Sequence, residues 1–388
     1  MDFALTPELE AIRENVEKIC ARFPDEHWLA LDNEARFPKE FHRAMADAGF
    51  LGITMPEEYG GANLGVTAAA VMMNTVGKGP GTFAACSTIH INLFGPHPIV
   101  VFGTPEQKQR WLVPLIKGDE QTCFGVTEPD AGLDTTHIKT RAERSGGGYV
   151  VNGRKVWTTT AQVAHKILLL TRTTPIEDCK KPTDGMTLFY TDLDRSKIEV
   201  KRIPKMGRAA VDSNAVFIDG LFVREEDRIG DEGKGFSYLL HSLNPERIMI
   251  GAEATGLGQR ALAKAARYAR ERVVFGRPIG QNQAIAHPLA EVWAELEAAY
   301  AMCLRAASLY DAGKPCGPEA NAAKLLGGRA GFHAAERAVL THGGMGYAKE
   351  YHVERYFRES LIARIAPVSE ELILSHIAER VLDLPKSY

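Results

Sequence analysis

Apolar positions along the chain change their period twice. Leu9, Ile12, Val16 and Ile19 recur every three to four residues behind Thr6 and Pro7, a side-chain cap and a first-turn proline, which predicts an amphipathic helix. A second helix is expected over residues 41–48, stopped by Gly49. A turn is expected at Pro56-Glu57-Glu58-Tyr59-Gly60-Gly61, followed by a buried helix over 66–76. Near residue 120 the period falls to two. Tyr149-Val150-Val151 and Lys155-Val156-Trp157 flank Asn152-Gly153, a pair suited to the positive φ angles of a two-residue turn, so a hairpin is predicted there. Further strands are expected over 167–170, 186–191, 198–200 and 215–218. From Phe236 the helical period returns, over 248–274, 284–312 and 318–340. Ser369 is placed to cap a last helix, with Glu370 and Glu371 in its first turn and Ile373, Ile377 and Val381 as its apolar stripe.

The pattern predicts an α+β chain: an N-terminal helical domain over 1–117, a middle β-sheet domain (barrel or sandwich) over 118–232, and a C-terminal antiparallel helical bundle over 233–388. A length of 388 residues suits several hydrophobic cores.

The net charge of −3 supports neither a nucleic-acid partner nor an anionic membrane surface. Cys20, Cys86, Cys123, Cys179, Cys303 and Cys316 are scattered without a CxxC, as buried thiols of a reducing compartment are. The stretch Met1-Asp2-Phe3-Ala4-Leu5-Thr6-Pro7-Glu8 has neither the basic and apolar regions of a signal nor the arginines of a transit peptide. With no apolar run near the roughly 20 residues that span a bilayer, no membrane insertion and a cytoplasmic location are expected.

Three glycine-rich strings carry little. Gly256-Leu257-Gly258-Gln259-Arg260-Ala261 matches GxGxxA but lies inside a helical period, where small residues serve close packing; a dinucleotide fingerprint needs a preceding strand. Gly230-Asp231-Glu232-Gly233-Lys234-Gly235 lacks Walker spacing, and Gly343-Gly344-Met345-Gly346 follows a helix end. The twelve histidines show no ligand spacing, so no metal site is expected, and no GxSxG marks an acyl-transfer nucleophile. Cofactor chemistry is what remains.

Several strings in order then resemble the acyl-CoA dehydrogenase family. They are Phe124-Gly125-Val126-Thr127-Glu128-Pro129-Asp130-Ala131-Gly132, Lys155-Val156-Trp157-Thr158-Thr159, Lys205-Met206-Gly207 with Asp212-Ser213, Glu271-Arg272-Val273-Val274-Phe275-Gly276 with Gln283, and His342-Gly343-Gly344-Met345-Gly346-Tyr347 with Arg355 and Arg358. Pro56–Gly61 and Phe102-Gly103-Thr104-Pro105-Glu106-Gln107-Lys108 fit as well.

The resemblance implies FAD, with Phe124, Val126 and Thr127 at the pyrimidine side of the flavin and Trp157 and Thr159 near N5. It implies that Arg272, Phe275, Gln283, Gly343 and Gly344 hold the ADP half, reaching a neighbouring subunit's cofactor in a homotetramer, and that Ser369 contacts flavin. It also implies an acyl-CoA substrate, Arg247 near its CoA moiety, and an electron-transfer flavoprotein as electron acceptor. Two departures stand out. Leu133 occupies a place usually held by a Ser that touches flavin or CoA. Pro367 occupies the usual place of the catalytic Glu, and proline takes no proton. Glu246, in Asn244-Pro245-Glu246-Arg247, falls where isovaleryl- and long-chain-type relatives carry their base; Glu370 and Glu371 are the alternatives. The reaction expected is α,β-dehydrogenation of an acyl-CoA thioester. A same-fold desulfinase or acyl-CoA oxidase and a silent FAD- or acyl-CoA-binding protein stay open. The stretch Ser87-Thr88-Ile89-His90-Ile91-Asn92-Leu93-Phe94 is expected at the acyl pocket, with His90 a satisfied core histidine.

Overall fold

The computed structural model describes residues 4–386; Met1 to Phe3, part of the leader reading, lie outside them. Seven helices come first: α1 (Pro7–Ala21), α2 (Asp25–Glu34), α3 (Lys39–Asp47), α4 (Gly65–Lys78), α5 (Thr82–Phe94), α6 (His97–Phe102) and α7 (Pro105–Ile116). The Thr6 hydroxyl accepts the Leu9 amide as predicted.

Eight strands follow: β1 (Thr122–Gly125), β2 (Arg141–Ser145), β3 (Gly148–Thr159), β4 (Lys166–Arg172), β5 (Met186–Asp192), β6 (Ile198–Arg202), β7 (Ser213–Arg224) and β8 (Arg228–Ile229). They form one mixed sheet in the order β6-β7-β3-β2-β4-β5-β8, with β1 beside β4. Helices then return as α8 (Gly235–Leu240) and α9 (Leu243–Glu271). A two-stranded ribbon, β9 (Val273–Val274) with β10 (Arg277–Pro278), leads into α10 (Gln283–Asp311), α11 (Gly317–His342), α12 (Val353–Ser360), α13 (Ile362–Ile365) and α14 (Glu370–Arg380). Helices, sheet, helical bundle is the predicted order.

The predicted hairpin at Asn152-Gly153 is not there. Residues 148–159 run on as one strand against β7, where Gly220 (φ 63°) is the extra residue of a bulge and its amide donates to Asn152 Oδ1 at 2.8 Å. The turn into β3 is made one strand earlier by Gly146 and Gly147, at φ 49° and 81°. Asn-Gly is a local signal, and here the long-range ladder with β7 overrides it. Two helix ends also shift: α9 stops at Glu271, so Val273 and Val274 belong to the ribbon, and Val381 lies past the end of α14 and is exposed. All six cysteines are free, and five are buried; Cys179 is half-buried.

Small residues let α9 approach its neighbours, as Gly256 and Gly258 suggest. A Cβ on Gly256 would stand 2.2 Å from the Asn74 carbonyl oxygen of α4, and one on Gly258 would stand 3.0 Å from Gly331 Cα of α11. Gly256→Ala is therefore expected to lower stability by about 1–3 kcal/mol, read as a drop in melting temperature, because α4 must move outward.

Candidate functional site

Strand β3 ends in a distortion that exposes an aromatic ring. Between Lys155 and Thr158 it carries one residue more than β7, and Trp157 takes φ 61°. The bulge turns the indole out of the sheet, leaving it 57% exposed where a core aromatic would be covered. Beneath it, fully buried Lys155 donates to the Val126 carbonyl at 3.1 Å and to Glu128 Oε1 at 2.8 Å. Glu128 also accepts the Lys139 and Thr140 amides at 2.6 and 3.0 Å, and the Val156 amide donates to the Thr127 carbonyl at 2.9 Å. Segment 126–128 is thereby tied to β3. Phe124 packs on Phe94 of α5 with ring centroids 5.3 Å apart, and Thr159 pairs with Ser213 in register.

Glu246 lies in the first turn of α9 and is 6% exposed. Its carboxylate accepts no hydrogen bond from any described residue. Burial, the largest influence, pushes its pKa up to about 7, against the positive charges of His90, Arg247 and Lys324; Glu253 adds to the rise. Arg247 is half-buried, donates to Asn244 Oδ1 at 3.3 Å, and leaves its buried Nε without an acceptor. Pro367 begins the loop whose Val368 carbonyl accepts from buried Lys324 at 2.5 Å. The two alternative acids are engaged or exposed. Glu370 is held by Arg364 at 2.7 and 3.1 Å and by Arg329 at 3.2 Å, and Glu371 is exposed.

Sequence models of the acyl-CoA dehydrogenase N-terminal, middle and C-terminal domains match residues 6–119, 123–221 and 233–382. A probable acyl-CoA dehydrogenase, YngJ of Bacillus subtilis strain 168, is 35% identical across 98% of this chain and 100% of its own. This chain belongs to the acyl-CoA dehydrogenase family. The butyryl-CoA dehydrogenase of Megasphaera elsdenii superposes at a TM-score of 0.93 with 28% identity, over 98% of this chain and all of that one. An FAD complex of PigA superposes equally well at 25% identity, over 98% and 99% of the two chains. The acyl-CoA dehydrogenase family is a family of FAD-dependent flavoproteins, and FAD is the cofactor here.

The residues expected to bind cofactor fall into two groups. Phe124, Val126, Thr127, Trp157 and Thr159 share the β1–β3 region. Arg272, Phe275, Gln283, Gly343 and Gly344 gather at the opposite end of α9 from Glu246, about 40 Å along a helix of that length. There the Tyr268 and His342 rings stack 4.2 Å apart and join the ends of α9 and α11. All five are exposed, Phe275 completely, at φ 53°. Leu133 is exposed too. Ser369 accepts the Leu372 amide at 3.3 Å and so is at least a helix cap.

Sequence reasoning missed what surrounds Glu246. His90 is satisfied, but by an acid: its Nδ1 lies 2.5 Å from Glu253 Oε1, and both side chains are buried. Glu253 stands seven residues after Glu246, a spacing that keeps two helical side chains on one face and was the only available signal. Lys324 and Arg208 gave none.

Proposed function

We propose that this chain is an acyl-CoA dehydrogenase in the strict sense, converting an acyl-CoA thioester to the 2-enoyl-CoA, with Glu246 as the α-proton acceptor. The observation that carries this is the buried, unpartnered Glu246 carboxyl with its pKa near 7. An ordinary first-turn glutamate points to solvent. This one is held where a proton can be taken near neutral pH and water is kept away.

The residues present fit FAD. Trp157 offers an outward ring, the braced 124–127 segment offers fixed backbone groups, and Thr159 a hydroxyl. Bound FAD supplies the hydride acceptor. Glu246 takes the α-proton and holds it. Lys155 and Glu128 keep the cofactor-facing segment in register, and Arg247 receives the CoA moiety. One cofactor-binding group lies in the β1–β3 region and the other at the far end of α9 from Glu246, so a second copy of the chain is proposed to complete each site, in a homotetramer. An electron-transfer flavoprotein is the proposed electron acceptor and the cytoplasm the proposed location; no helix among the described residues is long and apolar enough to cross a membrane.

Anaerobic addition of acyl-CoAs of graded chain length to the holoprotein tests this. At least one is expected to bleach the flavin absorbance, with slow return in air. Rapid return with peroxide would identify an oxidase, and no bleaching by any thioester would refute dehydrogenation. The bleaching rate should also follow the carboxyl group: only the deprotonated form accepts a proton, so the rate falls about tenfold per pH unit below about 7 and levels off above it. A rate independent of pH across that range would show that another group takes the proton.

A further inference from the structure

Arg208 lies in the loop between β6 and β7 and takes φ 56°, a conformation L-residues rarely adopt. Its guanidinium makes one side-chain hydrogen bond, Nη1 to Ser87 Oγ of α5 at 2.8 Å, and no ion pair with any described residue. Nε and Nη2 find no protein acceptor, yet they are not sealed in, because Arg208 keeps accessible surface.

The carboxylates whose charge reaches Arg208 are Glu359 and Glu253, and each has its own counter-ion. Arg355 Nη1 lies 3.3 Å from Glu359 Oε1, and His90 Nδ1 lies 2.5 Å from Glu253 Oε1. Burial alone would lower the His90 pKa, but the Glu253 carboxylate beside it prevails and raises it. Each of these carboxylates already faces its own partner, and among the described residues no acid pairs with Arg208.

His90 ties this charge to the reaction site. It feels both Glu246 and Arg208, and its ring packs on Phe94 at 4.7 Å, which in turn packs on Phe124. Glu253, whose charge reaches Arg208, lies two turns beyond Glu246 on α9, about 10 Å along the axis. The guanidinium without an acidic partner therefore lies against α5, on the Glu253 side of the proposed base.

We propose that Arg208 and Ser87 form an anion subsite for a carboxylate at the distal end of the acyl chain, so that the preferred substrates are monothioesters of dicarboxylic acids. The inference rests on the proposed site, since Glu246 sets where the α-carbon lies. A carboxylate uses the planar fork of the guanidinium through two hydrogen bonds and balances its charge. An apolar tail would strip water from a cation with nothing to replace it, and an ammonium group would be repelled.

The test compares matched thioesters on the holoenzyme, glutaryl-CoA with pentanoyl-CoA and adipyl-CoA with hexanoyl-CoA. It reads kcat/KM for anaerobic flavin reduction and, separately, Kd by equilibrium titration. At one of the two lengths the dicarboxylic member should be favoured at least about tenfold, as one charge-assisted bidentate contact allows. Arg208→Met should bring the ratio to about one through a higher KM and Kd for that member, and Arg208→Lys should keep part of it. Melting temperature and FAD content show that each variant is folded. The subsite is refuted if monoacyl thioesters bind and react as well at both lengths, or if the preference survives in Arg208→Met. If the Kd preference is present but no thioester bleaches the flavin, the subsite stands and the dehydrogenase reading fails.

Discussion

Glu246→Gln is expected to slow flavin reduction by about 10²–10⁴-fold while acyl-CoA still binds, because the variant keeps the shape of the side chain and removes its capacity to accept a proton. Misfolding would not explain such a loss. The folded pKa of Glu246 is raised to about 7 from an ordinary value of 4.5, so above that folded pKa the ionised carboxylate opposes folding. A neutral glutamine removes that penalty, and its melting temperature at alkaline pH should equal or exceed the parent's. Rapid-mixing absorbance gives the rate, and titration with an enoyl-CoA gives the binding. A variant that bleaches at the parental rate would move the base elsewhere, although Glu370 is occupied by two arginines and Glu371 faces solvent.

Removing Glu128 should give the largest loss of stability. Among the described residues its carboxylate is the only acid paired with Lys155, whose side chain has no exposed surface, and it also accepts two backbone amides. Burial already lowers the Lys155 pKa to about 8, with Glu128 opposing that fall. In Glu128→Gln the ammonium loses its counter-charge while still buried, a change that costs about 3–5 kcal/mol. The remaining folded protein should release FAD more readily, since the segment carrying Val126 and Thr127 is no longer braced. The sign with pH is distinctive. In the variant the Lys155 pKa falls further below its unfolded value, so the unfolded chain binds more protons and stability rises as pH rises through the folded pKa. Adding Lys155→Met should recover melting temperature without recovering FAD affinity, because that substitution itself removes the bond to the Val126 carbonyl. Full recovery of both would mean that the pair has no part in shaping the cofactor site.

What could be read from the sequence depended on how far each signal reaches along the chain. Thr6 and Ser369 act on amides three residues away, so their helices were legible from a few letters. The glycines of α9 were read correctly as packing residues because the helical period around them excludes a strand. Asn152-Gly153 misled for the same local reason: the bulge is settled by β7, some seventy residues later. Glu246 was visible through a resemblance, as a carboxylate on α9 when Pro367 left the usual place without one. Its surroundings were not. His90 and Glu253 are 163 residues apart, Arg208 and Ser87 are 121 apart, and no periodicity links them. Charged side chains that meet only on folding leave no pattern in the order of residues, and these are the ones that temper the rise burial gives the Glu246 pKa and that leave Arg208 without an acidic partner.

Proton abstraction can be isolated with a thioester whose β-carbon is replaced by sulfur, which can lose an α-proton but has no hydride to give. Incubated with the holoprotein in D2O and followed by mass spectrometry, it should take up α-deuterium at a rate that rises with pH through about 7. In Glu246→Gln the uptake should fall to background. Equal uptake by parent and variant would contradict the assignment of the proton acceptor on which the mechanism rests.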